Sequence, residues 1–207
     1  YIDLYQLHWP ERSVNIFGRL TYTHHPDETF TPFEEVLDVL GEAIRAGKIR
    51  HVGLSNETAW GAMRWLQLAD QGRGPRMASI QNCYHMLNRG FEVGLAEVAI
   101  REQCGLLAFS PLGMGSLTGK YLNGARPAGA RMTLFPNFPR YMTPRAQDAI
   151  AIHVALARKH GLDPAQMALA WVNSRDFVTA TIIGATNLDQ LKSNIASIDV
   201  KLSPELV

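Results

Sequence analysis

Strand-type and helix-type segments alternate along the entire sequence. Five short runs have the pattern of β-strands, and they cover residues 2–7, 49–54, 78–81, 106–109 and 178–183. The last of them is rich in β-branched residues and is predicted to be buried. Each run precedes at least one segment whose apolar residues recur at helical spacing. Strands joined through helices lie parallel, because the helix returns the chain to the same end of the sheet. The sequence therefore predicts an α/β fold built on a parallel sheet.

Caps, prolines and glycines indicate where the helices begin and end. Thr31 followed by Pro32 predicts the start of a first helix, which Gly47 ends. Thr143 and Asp163 each precede a proline and are predicted to cap two further helices. Helical spacing predicts three more helices, over residues 58–71, 92–103 and 187–197.

Two of the connecting segments are unusually long or glycine-rich. A glycine-rich loop covers residues 110–121, directly after the fourth predicted strand. Residues 122–142 are rich in Gly, Pro, Arg and Asn and follow no helical or strand period. A connection of that length is typical of a functional flap.

The overall composition excludes several classes of protein. A length of 207 residues predicts a single domain, and a net charge of +1 argues against an extended nucleic-acid surface. No run of about 18 apolar residues occurs, so no membrane span is expected. Cys83 and Cys104 lack the spacing of a metal site, and a chain of this size without a cysteine framework is expected to be reduced and cytoplasmic.

Polar residues gather at the carboxyl ends of the predicted strands. These ends carry His8, Ser55-Asn56, Gln81-Asn82, Phe109-Ser110 and Gly184-Ala185-Thr186. A doubly wound nucleotide-binding sheet would place its phosphate-binding glycines after the first strand, where this chain has His8-Trp9-Pro10. In a (β/α)₈ barrel, polar groups follow successive strands and phosphate sites favour the last two. Because a glycine-rich loop follows the fourth strand and a Gly-Ala-Thr turn follows the fifth, we expect a TIM barrel of which this chain holds about five units, strands 4 to 8.

The side chains at these strand ends suit a planar cofactor with a phosphate tail. Amides and hydroxyls can bond both edges of a carboxamide, and an aromatic ring offers a stacking face. Glycine-rich backbone and a helix N-terminus supply N–H groups for phosphate. Simpler explanations stay open: His8 could cap a strand, the glycines of residues 113–119 could mark a plain loop, and Asn187, Gln190 and Asn194 could form a solvated helix face.

Three other candidate sites lack a necessary group. His24 and His25 are adjacent and therefore point apart, which disfavours a metal site. Cys83 with His85 lacks the third group of a thiol nucleophile. Ser110 does not lie in the G-x-S-x-G context of a hydrolase.

Five segments, in order, resemble the aldo/keto reductase superfamily over the whole length of the chain. They are Leu7-His8-Trp9-Pro10, residues 47–56, Ile80-Gln81-Asn82, residues 108–121 and residues 184–194. The long first loop and residues 119–125 most resemble the Tas-like bacterial branch, which is related to potassium-channel β subunits. The resemblance implies a (β/α)₈ barrel that reduces aldehydes or ketones to alcohols by hydride transfer from NADPH.

The resemblance also implies roles for individual residues. His8 matches the active-site histidine that helps orient the substrate carbonyl. The matches to cofactor-binding positions are Ser55, Asn56 and Gln81 for the nicotinamide carboxamide, Phe109 for stacking on the ring, Ser110, Pro111, Leu112, Gly113 and Met114 for the turn under the pyrophosphate, Lys120 and Arg131 for the flap over it, and Gly184, Thr186, Gln190 and Asn194 for the adenosine 2′-phosphate.

Two departures from the family pattern change what is expected of this chain. The family often has Arg where Gln190 stands, and an amide binds phosphate less strongly than a guanidinium does, so the preference for NADPH over NADH is weakened. The family's proton-donating tyrosine, with its lysine and aspartate, comes from early strands. None of the 6 tyrosines here lies in the matching motif. We therefore expect those three groups to lie upstream, and the chain as given to be inactive in carbonyl reduction.

The partners implied are few. We expect a small-molecule carbonyl substrate, no nucleic acid and no membrane, and a monomer or weak homo-oligomer. A second hypothesis is a nicotinamide-binding regulatory or scaffold subunit with little catalysis. A third, a barrel aldolase or isomerase, would require a lysine at the carboxyl end of a strand for Schiff-base chemistry, and Lys48, Lys120 and Lys192 lie elsewhere.

Overall fold

Five strands form one parallel sheet in chain order. The computed structural model describes residues 1–138 and 140–207 in full and residue 139 without its side chain. The strands are β1 (Ile2–Leu7), β2 (Ile49–Ser55), β3 (Met77–Cys83), β4 (Leu106–Phe109) and β5 (Val178–Thr181), and their order in the sheet is β1-β2-β3-β4-β5. The predicted α/β fold with a parallel sheet is confirmed, and the arrangement is consistent with part of a (β/α) barrel.

The strand register brings the carboxyl ends of the first three strands level with one another. Leu7 pairs with Leu54, and Leu54 in turn pairs with Ile80. Ser55 pairs with Gln81 one residue later. Because parallel strands point the same way, the residues that follow Leu7, Leu54 and Ile80 emerge at the same edge of the sheet.

Seven α-helices connect or follow the strands. They are α1 (Phe33–Arg45), α2 (Ala59–Asp70), α3 (Leu95–Arg101), α4 (Arg131–Leu134), α5 (Pro144–Lys159), α6 (Pro164–Asn173) and α7 (Leu188–Ala196). Short 3₁₀ turns lie at Gly90–Val93, Ser116–Thr118, Leu122–Gly124, Pro139–Tyr141, Ser197–Asp199 and Pro204–Leu206. In α1 the buried residues Phe33, Leu37 and Leu40 recur every three or four positions, which is the spacing of one helix face.

Three predictions about secondary structure were wrong. Thr31 does not cap α1, because the helix begins at Phe33, so that Pro32 stands at the N-cap position and no side chain bonds to the first turn; the N–H of Thr31 donates to the carboxylate of Glu11 (3.0 Å). The helix predicted over residues 92–103 is divided at Gly94 into a 3₁₀ turn and the shorter α3. Strand β5 ends at Thr181, and its two central residues are exposed; since successive side chains point to opposite faces, neither face of β5 is covered at its centre.

The other predicted helix starts are confirmed by capping hydrogen bonds. The side chains of Thr58, Thr143, Asp163 and Asn187 each accept a bond from a backbone N–H in the first turn of the helix that follows. Asp163 accepts two, from the N–H groups of Ala165 (2.9 Å) and Gln166 (3.0 Å). These bonds satisfy donors that a helix cannot pair internally.

Removing the Asp163 cap is expected to lower the melting temperature. An Asp163→Ala substitution leaves two N–H groups of α6 to water and costs about 1 kcal/mol, which for a protein of this size corresponds to a fall of roughly 2–4 °C. Thermal unfolding followed by circular dichroism measures it. Asp163→Asn keeps the acceptor oxygen and is the matched control, and an equal fall in both variants would contradict the capping role.

The chain divides into two compact units. The first unit comprises Tyr1–Asn82 and Gly90–Leu107, and the second unit comprises Cys83–Arg89 and Ala108–Val207. Each has its own buried apolar residues, which include Leu37, Val52, Leu54, Leu66 and Ile80 in the first unit and Leu117, Tyr121, Ile150, Met167 and Val172 in the second. In the described part of the chain, no helix combines the length and apolar character needed to cross a membrane.

Candidate functional site

In the first unit, hydrogen bonds join the ends of strands β1, β2 and β3. The Ser55 hydroxyl donates to the carbonyl oxygen of Gln81 (2.7 Å), and the Asn56 N–H donates to the same oxygen (3.1 Å). The Asn56 side-chain amide donates to the carbonyl oxygen of His8 (2.9 Å) and to the Ser55 hydroxyl oxygen (3.2 Å). The structure therefore brings together four residues that the sequence predicts at one site: His8, Ser55, Asn56 and Gln81.

Asn56 makes these bonds from a left-handed backbone conformation. Its φ is 52°, which is uncommon for a residue other than glycine but is best tolerated by Asn and Asp. Ser55 and Asn56 are buried, with exposed fractions of 4% and 7%. Their amide and hydroxyl groups are thus fixed by the backbone turn and by the neighbouring strands before any ligand is present.

Complementary polar atoms remain free at these strand ends. Among the described residues, the Gln81 side-chain amide and the Asn56 Oδ1 atom have no hydrogen-bond partner, and the exposed His8 ring lies against the Trp9 ring (centroids 4.2 Å apart). An amide N–H₂ donor and an amide oxygen acceptor match the two edges of a carboxamide. These groups could hold a nicotinamide carboxamide, whereas the hydrogen of the Ser55 hydroxyl is already donated.

A cleft of about 320 Å³ opens beside His8 in the same unit. Its walls include His8, Trp9, Arg12, Glu57 and Trp65, together with Ser55. Asn56 and Gln81 do not line it. The cleft is therefore next to the predicted carboxamide site but does not coincide with it.

In the second unit, the predicted pyrophosphate turn follows β4 as a run of left-handed residues. Ser110, Gly113 and Met114 have φ values of 56°, 54° and 60°. The N–H of Gly113 donates to the Ser110 carbonyl within the turn, whereas the N–H groups of Leu112 and Met114 have no acceptor among the residues described. Free backbone N–H groups in a turn are donors that an anion can accept. The turn therefore fits a phosphate group.

Part of the predicted flap is attached to the loop that follows this turn. The N–H of Met132, in α4, donates to the Tyr121 hydroxyl (3.1 Å), and the Ser116 hydroxyl lies 3.3 Å from the Met132 sulfur. Lys120 is exposed and lies near Gly115, where a Cβ atom would be 3.1 Å from the Lys120 Cε atom. Arg131 is exposed and lies over the Phe135 ring. Both cations are thus available to an anionic ligand.

The predicted 2′-phosphate segment forms a connected set at the start of α7. Gln190 Oε1 accepts bonds from the N–H (2.9 Å) and the hydroxyl (3.0 Å) of Thr186. The buried Asn194 side chain donates to the carbonyl oxygen of Gly184 (3.2 Å). The four predicted residues are therefore brought together, but the Gln190 oxygen is occupied and only its N–H₂ group remains to meet a phosphate.

Comparison with known proteins identifies the family. The sequence profile of the aldo/keto reductase family matches residues 1–207. The chain belongs to the aldo/keto reductase family. It is 56% identical to Protein tas of Escherichia coli over 207 residues, which are 100% of this chain and 60% of that protein. The predicted resemblance to the aldo/keto reductases, and to their Tas-like branch, is confirmed.

More distant relatives carry names that describe reductases. An aldo-keto reductase of Babesia bovis is 40% identical over 94% of this chain and 73% of that protein. The L-glyceraldehyde 3-phosphate reductase of Escherichia coli is 34% identical over 90% of this chain and 54% of that protein. The chain spans 60% of the length of the Tas proteins that it matches.

Sequence reasoning about this aldo/keto reductase chain missed a buried ion pair. Both oxygens of the Glu57 carboxylate accept from the Arg12 guanidinium, at 2.5 and 3.2 Å. The side chains of Arg12 and Glu57 are only 10% and 3% exposed. The partners are 45 residues apart, so no local pattern could have indicated the pair.

The structure also changes the interpretation of Cys83 and His85. His85 is fully buried, and its Nε2 atom lies 2.8 Å from the Tyr141 hydroxyl, while Nδ1 accepts from the N–H of Leu87 (3.2 Å). Burial raises the pKa of the Cys83 thiol and raises the pKa of Tyr141 to about 12. A thiol with a raised pKa is a poor nucleophile, so the cluster has a structural role. No group of three or more His, Cys, Asp or Glu side chains suited to a metal ion occurs among the described residues.

Proposed function

We propose that the protein is an NADPH-dependent reductase of aldehydes or ketones, and that residues 1–207 supply strands 4 to 8 of its barrel. Membership of the aldo/keto reductase family supports the reaction class. One observation carries the assignment to this chain: hydrogen bonds join the ends of β1, β2 and β3. At these ends His8, Asn56 and Gln81 present an imidazole, an amide oxygen and an amide donor.

The first unit is proposed to bind the reacting half of the cofactor and the carbonyl group. Gln81 donates to the oxygen of the nicotinamide carboxamide, and Asn56 accepts from its N–H₂ group. His8, at the exposed end of β1, donates a hydrogen bond to the substrate carbonyl oxygen and so fixes its orientation. Bound NADPH supplies the hydride for the carbonyl carbon.

The second unit is proposed to hold the phosphate tail and the adenosine. The free N–H groups of Leu112 and Met114 face the pyrophosphate, with Lys120 and Arg131 as cations of the flap. Phe109, half-buried at the end of β4, stacks on the nicotinamide ring. The loop at Thr186 binds the 2′-phosphate through hydrogen bonds rather than through a guanidinium, so NADPH is preferred over NADH by a modest factor.

A proton must also reach the carbonyl oxygen. The family uses a tyrosine whose pKa is lowered by a lysine, and none of the 6 tyrosines of this chain stands in that motif. Tyr141 is unsuited to the role, because burial raises its pKa to about 12. We propose that the aspartate, tyrosine and lysine come from the part of the full-length protein that corresponds to the unmatched 40% of its relatives, since the chain covers 60% of them.

NADPH binding tests the proposal directly. Titrating the full-length protein with NADPH is expected to quench tryptophan fluorescence, with a dissociation constant below about 1 mM. Gln81→Leu removes one hydrogen bond to the carboxamide and is expected to weaken binding about fivefold to tenfold. Gln67→Leu, at an exposed position of α2 in the same unit, is the matched control and should bind like the wild type.

The outcomes separate the candidate functions. Saturable quenching together with NADPH oxidation by small aldehydes supports the reductase. No quenching up to millimolar NADPH would refute cofactor binding. Tight binding with no turnover of any carbonyl would instead favour the regulatory or scaffold subunit.

A further inference from the structure

We propose that Arg12 and Glu57 are positioning residues that hold the Asn56 turn and His8 in place for the cofactor. The inference rests on the proposed function, because it assigns to this ion pair a role in shaping the nicotinamide half of the site. Both residues line the cleft beside His8, and in the described part of the chain neither side chain bonds to His8, Asn56 or Gln81. Glu57 acts through its own backbone, which follows Asn56 directly, and Arg12 acts through the loop that connects it to His8.

The Glu57 carboxylate is buried and fully occupied by donors. Besides the two bonds from Arg12, it accepts from the N–H of Thr58 (2.6 Å) and from the indole N–H of Trp65 (3.3 Å). The residue as a whole is 4% exposed. A buried carboxylate is tolerated only when it is paired and hydrogen-bonded, so the position of Glu57 is set by these donors.

Arg12 is fixed as firmly as its partner. Its guanidinium lies over the rings of Phe33 (5.5 Å to the centroid) and Trp60 (5.0 Å), and it also donates to the Thr58 hydroxyl (3.1 Å). A planar guanidinium with two parallel bonds to a carboxylate has little freedom to move. The loop after β1 is therefore attached at Arg12 to the start of α2.

The first turn of α2 leaves room for this pair at a glycine. A Cβ atom at Gly61 would collide with both the Arg12 guanidinium and the Glu57 carboxylate. Close approach of charged side chains to a helix backbone is possible there only because the side chain is a hydrogen. The pair is thus enclosed by the helix, two aromatic rings and the loop.

Glu57 transmits this rigidity to the site through its backbone. Asn82, at the end of β3, donates to the Glu57 carbonyl oxygen (2.9 Å) and accepts from the Glu57 N–H (3.1 Å). Asn56, directly before Glu57, is left-handed and donates to the carbonyl oxygen of His8. Arg12 itself follows His8 by four residues in the chain. One ion pair therefore fixes both sides of the His8–Asn56 hydrogen bond.

The consequence is a selective effect on the nicotinamide half of the ligand. Loss of the pair displaces Asn56 and His8 together, and a displacement of about 1 Å at such a site can cost up to 10²-fold in rate. The residues proposed to bind the adenosine phosphates belong to the second unit. Their ligand, the adenosine end of the cofactor, should bind as before.

The test compares two ligands on full-length variants. Arg12→Met leaves a buried carboxylate unpaired and could prevent folding, so the decisive variant is the double substitution Arg12→Met/Glu57→Gln, which removes both charges. We expect its dissociation constant for NADPH to rise at least about tenfold, while that for adenosine 2′,5′-bisphosphate changes less than about twofold. The loss of activity in the same variant should appear mainly in kcat. Arg12→Lys keeps the charge but not the two parallel bonds, so its kcat should lie between those of the double variant and the wild type.

A more exposed pair in the same unit provides the control. Arg64 donates to Glu34 (2.8 Å) with side chains 39% and 33% exposed, and Arg64→Met/Glu34→Gln should leave both affinities unchanged. Two results would overturn the inference: wild-type NADPH affinity in the Arg12/Glu57 double variant, or an equal loss of affinity for both ligands, which indicates a general structural role. Failure of the wild type itself to bind NADPH would count against the proposed function instead.

Discussion

Replacing His8 by alanine is expected to lower kcat for carbonyl reduction by about 10²-fold to 10⁴-fold, the range for loss of a positioned acid, base or donor group. The affinity for NADPH should change less than about twofold. The reason is that the proposed contacts of the His8 side chain are made only to the substrate carbonyl oxygen. Steady-state kinetics with a small aldehyde, together with NADPH titration, measures both quantities.

The effect of His8→Ala on catalysis can be separated from an effect on folding, because the His8 side chain contributes little to the stability of the fold. It is exposed, and its ring packs against the ring of the neighbouring Trp9. The hydrogen bond that joins β1 to β2 uses the backbone carbonyl of His8, which alanine retains. A large fall in kcat with an unchanged melting temperature would therefore report on chemistry and not on folding.

His24 offers the matched control for His8. It is also an exposed histidine of the first unit, and its Nδ1 atom lies 3.0 Å from the Tyr22 hydroxyl, away from the joined strand ends. His24→Ala should keep wild-type kcat. If His8→Ala retained more than about a third of the wild-type kcat, the proposed role of His8 would be wrong.

The parts of the fold that could be predicted are those set by neighbouring residues. Strands β1 and β4 have the predicted bounds, because the alternation of apolar and polar residues in β1, the short apolar run of β4 and the loop after each strand are local signals. The caps of α2, α5, α6 and α7 were predictable for the same reason, since Thr58 or Asp163 bonds to an N–H only two or three residues away.

Long-range partners account for what the sequence could not indicate. Thr31 has the sequence of a helix cap, but α1 begins two residues later at Phe33, and the Thr31 backbone bonds to Glu11, 20 residues earlier. Arg12 and Glu57 each look like ordinary surface charges until β1 and β2 pair and bury them together. The occupied oxygen of Gln190 is a similar case, because the sequence shows the amide but not which of its atoms is already bonded.

His85 gives the largest expected effect of pH on stability. Burial first, and the charge of Arg140 second, lower its pKa from 6.5 to about 3. Leu87 N–H can only donate, so Nδ1 of the neutral ring is the acceptor and Nε2–H donates to the Tyr141 hydroxyl. A second proton at Nδ1 would remove the bond to Leu87 and place a buried charge beside Arg140.

The sign of the pH effect follows from these two pKa values. As the pH falls through 6.5, the unfolded chain binds a proton at residue 85 and the folded protein does not, so the free energy of unfolding decreases until the pH nears 3. The slope approaches about 1.4 kcal/mol per pH unit, or roughly 2 kcal/mol between pH 6.5 and pH 5. Burial lowers the pKa of His153 as well, and its contribution has the same sign.

Urea unfolding at pH 7 and pH 5 isolates the contribution of His85. Hydrogen bonds from Thr31 and Ser13 lower the pKa values of Glu11 and Glu28 from 4.5. The contributions of these two carboxylates to stability are therefore lost mainly below pH 5. His85→Gln supplies an uncharged amide, and it should be less stable than the wild type at pH 7 but lose about 2 kcal/mol less on acidification. His153 titrates in both proteins and cancels in the comparison. The same loss in the variant and the wild type would show that His85 becomes protonated in the folded protein, and that the fold tolerates a buried cation at this position.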